Sequence, residues 1–218
     1  MPRILYQDDH LLLVEKPVGL SSQEVDGGGD SLPHRLSEQG LPVLPVHRLD
    51  TPTGGVMVYA RTKAAAAKLS ALVGEHEVFA KEYLAVVQGI PEPEGELTDL
   101  LYHDVRKNKS FPVKRERKGV RLARLTYTCL STVALAEGTF SLVRVRLHTG
   151  RTHQIRVQFA SRQMPLYGDT RYGGIKAPTL GLWSYRLTFP HPVGGKPVCA
   201  LSYPPATPPF VWFNLPNE

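Results

Sequence analysis

The chain has 218 residues, of which 42% are hydrophobic and 21% charged, with a formal net charge of +6. That balance excludes a wholly disordered chain, and without a run of about 18 apolar residues it excludes a transmembrane helix. Residues 1–100 carry a net charge of −7 and residues 101–218 one of +13, an asymmetry that predicts one strongly positive face. Such a face attracts a polyanion, nucleic acid first and an acidic membrane surface second. Charge alone leaves a merely soluble basic protein equally open.

In chain order, Arg3–Gln7 and Leu11–Lys16 read as two short strands around the acidic turn Asp8–Asp9–His10. The N-terminal MPRILYQDDH has no long apolar stretch, so it is not a secretory signal. Gly27–Gly29 are followed by no Lys-Ser or Lys-Thr and read as a flexible loop rather than a phosphate-binding one. Ser31–Gln39 is predicted as a short helix capped by Ser31 and closed by Gly40. Gly55–Arg61 alternates as a strand with Val56, Val58 and Ala60 on one face, and Thr62 caps an alanine-rich helix to about Gly74. Lys81–Gly89 is apolar on both faces, as a central strand is. Segments 121–130 and 139–148 read as a long two-stranded unit. Thr152–Gln163 reads as a helix, and strands return at 182–189 and 198–203. The class is therefore α+β, a central, mostly antiparallel mixed sheet flanked by helices and loops. No repeat or Pro-rich linker splits the chain, so 1–218 reads as one domain.

Several chemistries are absent from the pattern. None of the eight histidines forms HExxH, and Cys129 and Cys199 have neither a CxxC partner nor ligand spacing to a histidine. Both cysteines are expected as small buried hydrophobes in a reducing, cytoplasmic compartment. GxGxxG, GxSxG and GKS/GKT are missing, which argues against dinucleotide enzymes, esterases and NTPases. The expected enzyme uses side chains alone, with no cofactor and no metal.

Three segments concentrate polar residues where the scaffold turns. In His47–Gly55 (HRLDTPTGG), Pro52 biases Thr51 toward an extended conformation, and two glycines permit a tight path into the next strand. Asp50 thus sits on a loop held by a rigid strand, although an aspartate in an ordinary Asx-turn is the commoner reading of such a loop. In Lys81–Val87, alternation puts Lys81 and Tyr83 on one face, where Tyr83 offers a flat ring for stacking or simply a half-buried strand tyrosine. In His148–Arg156, a strand ends, Gly150 turns and a helix begins near Thr152, so Arg151 and the helix N-terminus together suit a phosphate. Ile155 and Phe159 face the core, and Arg156, partly buried, requires a carboxylate partner.

These residues resemble a known family, the RluA-type RNA pseudouridine synthases. HRLDTPTGGVMV (47–58) is similar to its HRLD-x-x-T-S-G motif with Gly54 at the usual serine. KEYLAVVQG (81–89) resembles K-x-Y-x-A-x-V-x-G, and TGRTHQIRVQFA (149–160) resembles TGR-x-HQIRVH with Gln158 at the usual histidine. LYGDTRYGG (166–174) resembles the family's Gly-Asp and Tyr-Gly segment, and VEKPVGL (14–20) its Lys-Pro-Gly start. The matches run in family order from about residue 4 to 192.

The resemblance implies isomerisation of a uridine in structured RNA, in an rRNA or tRNA stem-loop, with no cofactor. Asp50 is then the essential carboxylate, attacking C1′ or C6 or abstracting a ribose proton, and Arg156 the arginine that keeps it ionised. Tyr83 stacks on the uracil or assists removal of the C5 proton. Arg48 fills the stack that the flipped base vacates, and His47 and Arg151 belong to the RNA-binding set. The run 106–124 holds nine Lys and Arg against Glu116 alone. It is expected as a mobile loop that clamps the RNA backbone, with Lys107, Lys109 and Arg115 among its contacts. Met1 lies a few residues before the first strand, so the small RNA-binding domain of many relatives is expected to be missing. The chain is expected as a monomer with RNA as its partner, no membrane and no obligate protein partner. Two rivals remain. A catalytically inactive RNA-binding or chaperone protein does not need the intact Asp50, Tyr83 and Arg156 set. A metal-dependent nuclease needs clustered carboxylates, and residues 101–218 hold only five.

Overall fold

A computed structural model describes residues 2–25, 27 and 29–217. In chain order the elements are β1 (Arg3–Gln7), β2 (Leu11–Lys16), α1 (Leu32–Glu38), β3 (Leu44–Pro45), β4 (Gly54–Ala60), α2 (Lys63–Val73) and β5 (Ala80–Gln88). They continue with β6 (Glu94–Asp104), β7 (Lys109–Val113), β8 (Val120–Leu135), β9 (Gly138–Leu147), α3 (Gln154–Ala160), β10 (Leu182–Pro190) and β11 (Pro197–Leu201). Short 3-10 turns lie at Thr170–Tyr172 and Phe210–Trp212. The chain divides into two compact units, Met1–Glu82 with Trp183–Pro204, and Tyr83–Leu182 with Pro205–Glu218.

In the first unit the strand order is β1-β2-β4-β10, with β11 on β10 and β3 on β4. β2 runs antiparallel to β4 from Leu11↔Ala60 to Lys16↔Gly55, whereas β10 meets β4 in parallel at Trp183↔Gly54 and Ser184↔Gly55. Val56, Val58 and Ala60 face a core with Leu11, Leu13, Leu69, Phe79, Leu187 and Phe189, as the alternation requires. Both helix starts follow from their caps: Ser31 accepts from the His34 N–H and Thr62 from the Ala65 N–H.

In the second unit the order is β5-β9-β8-β6-β7. β8 and β9 form the long antiparallel pair expected, with a bulge between Cys129 and Ser131. α3 packs across β6 and β8 through Val157 against Leu101 and Ala123, and Tyr127 meets Phe159 edge-on, with ring centroids 5.3 Å apart. The mixed, mainly antiparallel strands and flanking helices bear out the α+β class.

Four local expectations need correction or qualification. The basic run 106–124 is not one mobile loop. It contains β7, paired to β6 from Leu100↔Val113 to Asp104↔Lys109, and the start of β8. α3 begins at Gln154, not Thr152, because His153 stands in the left-handed region at φ 55. It stops at Ala160, and Gln163 is left-handed at φ 62. The cysteines are not both buried: Cys129 is half-buried and Cys199 is exposed on β11. Within the glycine-rich segment, Asp26 and Gly28 lie outside the described residues.

Candidate active site

Asp50 sits at the start of a tight turn in which the Thr53 N–H donates to the Asp50 carbonyl at 2.9 Å. Its loop is clamped from two sides. Ser22 Oγ donates to the Leu49 carbonyl (2.9 Å) and accepts from the Leu49 N–H (3.1 Å). Lys16 is fully buried, and its Nζ donates to the carbonyls of Leu20 (2.6 Å), Pro17 (2.9 Å) and Thr51 (3.2 Å). The Gly19 N–H also bonds the Thr51 carbonyl, at 2.8 Å. One buried lysine thus welds the Lys-Pro-Val-Gly-Leu segment to the Asp50 loop. Burial pulls the Lys16 pKa down to about 8, and the nearby charge of Asp50 opposes that fall.

The glycines after this loop are demanded by their neighbours. A Cβ on Gly54 would lie 2.2 Å from the Trp183 ring, and one on Gly55, at φ +116, 2.1 Å from the Ser184 carbonyl oxygen. The departure from the family serine at 54 therefore makes room for Trp183, which is anchored by bonds from its Nε1 to the Ser202 carbonyl and hydroxyl. Gln158, at the usual histidine, is fully buried, and its Nε2 donates to the Leu97 carbonyl (3.1 Å) and the Asp99 carboxylate (2.8 Å).

Arg48 is exposed beside this loop. His47 is half-buried, with its Nε2 accepting from the Val58 N–H at 3.2 Å and its ring edge-on to Phe79. Burial and the neighbouring positive charge of Lys81 push its pKa down to about 3. It is therefore neutral and offers no charge to a phosphate. Lys81 is buried, with its Nζ 5.1 Å from the Phe79 ring centroid, and desolvation lowers its pKa to about 8.

In the second unit Tyr83 lies on β5 and is 7% exposed. Arg156 is 5% exposed on α3, and the carboxylate its burial requires is present: Asp169 accepts from Nε at 2.7 Å and from Nη2 at 2.8 Å. The Tyr172 ring lies 5.3 Å from the guanidinium carbon. Arg151 is exposed, with Nε donating to the Leu122 carbonyl at 2.9 Å. Gln154 folds back on the same turn, its Oε1 accepting from the Arg151 N–H and the Thr149 hydroxyl, so the turn satisfies its own donors. Lys107 and Arg115 are exposed, and Lys109 points its Nζ at the Tyr172 ring from 5.1 Å.

The structure thus brings Asp50 together with Lys16 in one unit, and Arg156 with Asp169, Tyr172 and Lys109 in the other. Lys16, Asp169 and Tyr172 lie inside matched motifs, yet their spacing assigns them no role. The signal for Asp169 is the buried arginine itself, which needs a carboxylate somewhere in the chain.

Residues 10–161 match the family model described as RNA pseudouridylate synthase. The chain belongs to that family.

Among its relatives, the dual-specificity RNA pseudouridine synthase RluA of Escherichia coli is 34% identical over 199 residues, covering 88% of this chain and 89% of the relative. The ribosomal large subunit pseudouridine synthase D of Xanthomonas campestris is 35% identical over 221 residues and covers 90% of this chain, which spans 64% of that relative's length. The solved structure of human RNA pseudouridylate synthase domain containing 1 superposes with a TM-score of 0.79 at 23% identity, covering 94% of this chain and 84% of its own. The last likeness is one of fold. Membership bears out the enzyme class expected from the motifs, an isomerase acting on RNA. Among the described residues no helix is long and apolar enough to cross a membrane.

Proposed function

We propose that this protein converts a specific uridine to pseudouridine in an rRNA or tRNA stem-loop, with Asp50 as its essential carboxylate. The reaction breaks the bond from N1 to C1′, turns the uracil and joins C5 to C1′, while C5 loses a proton and N1 gains one. Atoms and electrons balance without any oxidant, so the step needs no redox cofactor. Asp50 acts ionised, whether it attacks C1′ or C6 or takes a ribose proton. Arg156 is the cation that keeps it so, and Tyr83 stacks on the uracil. Extruding the base costs a few kcal/mol, which Arg48 offsets by occupying the vacated stack. Arg151, Lys107, Lys109 and Arg115 hold backbone phosphate.

The observation that carries this reading is the clamping of the Asp50 loop by the buried Lys16, because a carboxylate presented for chemistry must be held rigidly. The names of the relatives, one dual-specificity and one ribosomal, support rRNA or tRNA as substrate. We further read residues 1–218 as one catalytic domain, working as a cytoplasmic monomer without an obligate protein partner. The test uses total RNA from a strain lacking the gene, complemented with wild type or with Asp50→Asn. Carbodiimide mapping is expected to find a pseudouridine present with wild type and missing with Asp50→Asn. An unchanged map in both strains refutes the reading.

A further inference from the structure

Arg156 is more elaborately held than a mere counter-charge requires. Asp169 grips it from the side through two nearly equal bonds, a fork that fixes the plane of the guanidinium. Tyr172 approaches the same group with its ring, 5.3 Å from the guanidinium carbon. Both residues come from one turn, closed by the Tyr172 N–H on the Asp169 carbonyl at 3.0 Å and by the Gly174 N–H on the same carbonyl at 2.9 Å. Gly174 cannot be replaced easily there, since a Cβ would lie 2.3 Å from the Leu166 carbonyl oxygen.

The far end of Tyr172 points elsewhere. Its hydroxyl accepts from the Ser110 N–H of β7 at 2.8 Å and lies 3.0 Å from His153 Nδ1. Ser110 Oγ donates in turn to the Thr152 carbonyl at 2.6 Å. Lys109 Nζ is 5.1 Å from the ring centroid, and Arg171, on the same turn, donates to the carbonyls of Lys107 and Asn108. One tyrosine therefore touches the buried guanidinium with its ring and the basic β7 edge with its hydroxyl.

We propose that Tyr172 is a positioning residue of the reaction, its ring orienting Arg156 with Asp169 and its hydroxyl tying that arginine to the RNA-binding edge at β7. This rests on the synthase reading above, in which Arg156 keeps the carboxylate ionised. The two ends are separable. Tyr172→Leu removes ring and hydroxyl together, Tyr172→Phe removes only the hydroxyl, and their difference reads the ring.

Release of tritium from total RNA of the deletion strain, labelled with [5-³H]uridine, reads turnover at C5. Tyr172→Leu, which removes ring and hydroxyl together, is expected to lower kcat about 30-fold, the value of a desolvated cation–π contact, and to raise KM as far as Tyr172→Phe does. Tyr172→Phe should keep kcat within about threefold and raise KM, since the hydroxyl's contacts with the Ser110 N–H and His153 are cut while the ring stays on Arg156. Tyr172→Trp, which retains a π-face, should recover most of the kcat lost in Tyr172→Leu. A wild-type kcat in Tyr172→Leu overturns the inference, as does a Tyr172→Phe that loses kcat fully. If Tyr172→Leu fails to fold, the Phe and Trp variants still decide by the same two criteria. Absence of release by wild type instead overturns the synthase reading, and the inference with it.

Discussion

Introducing a single methyl group at Gly54 is expected to destabilise the first unit through Trp183. The added Cβ would stand 2.2 Å from the ring's Cζ3 and 2.8 Å from Cη2, where ordinary carbon contacts lie near 3.5–4.0 Å. Relief requires the ring or the strand to move by more than about 1 Å. The ring is 4% exposed and pinned at Nε1 by Ser202, at 2.9 and 3.1 Å. Overpacking of a closed core costs about 1–3 kcal/mol, and loss of a hydrogen bond to Ser202 adds about 1 kcal/mol. Gly54→Ala is therefore expected to cost about 2–4 kcal/mol in urea unfolding, with Gly54→Ser at least as costly. Trp183→Phe shortens the ring on that side, so Gly54→Ala in its background should cost markedly less, a favourable coupling of about 1–2 kcal/mol in a double-mutant cycle. A Gly54→Ala protein within about 0.5 kcal/mol of wild type would refute the reasoning, since that is the level of an indifferent surface change.

Three further outcomes follow from other parts of the molecule. Asp169→Asn removes the charge that accepts two bonds from the buried Arg156 and should cost about 3–5 kcal/mol of stability, whereas Glu96→Gln, which loosens the exposed pair with Arg124, should cost under about 1 kcal/mol. Lys81 has a folded pKa of about 8 below its ordinary 10.5, so the unfolded chain binds the extra proton between those values and stability rises with pH across that window. Urea midpoints of wild type should therefore climb relative to Lys81→Met from pH 8 to 10.5, and parallel curves would contradict this. Charge reversal at Lys114 and Arg115, both exposed, should flatten the salt dependence of RNA binding by about 0.7 for each phosphate no longer neutralised, and an unchanged slope would remove that turn from the interface.

Much of the fold was legible because short-range chemistry set it. Ser31 and Thr62 cap the helices their hydroxyls announce, and Val56, Val58 and Ala60 share the face their alternation gives. β7 was hidden because the basic run around Lys107, Lys109 and Arg117 resembles a solvated loop, while what orders it is its pairing with β6, as at Tyr102↔Phe111. The length of α3 was overestimated for a related reason. No glycine or proline interrupts 152–163, but His153 and Gln163 take left-handed backbone that no spacing rule anticipates. For the candidate site, motif residues Asp50, Tyr83 and Arg156 were visible, and so was the need for a carboxylate beside Arg156. Asp169 and the three carbonyls gathered by Lys16 depend on chain paths across 13 and up to 35 residues, which periodicity does not encode.

The outer strand of the second unit also protects it from its own kind. β7 ends the order β5-β9-β8-β6-β7, so one side of its backbone faces away from β6. The Ser110 N–H points that way, since it bonds Tyr172 rather than a strand, and by the two-residue period so does position 112. Position 112 is a proline and has no N–H to give. One outward donor is already occupied and the next does not exist, so an incoming strand finds no row of hydrogen bonds to extend. A surface rich in cations and aromatic rings can thereby stay open to a nucleic acid while remaining closed to edge-to-edge aggregation.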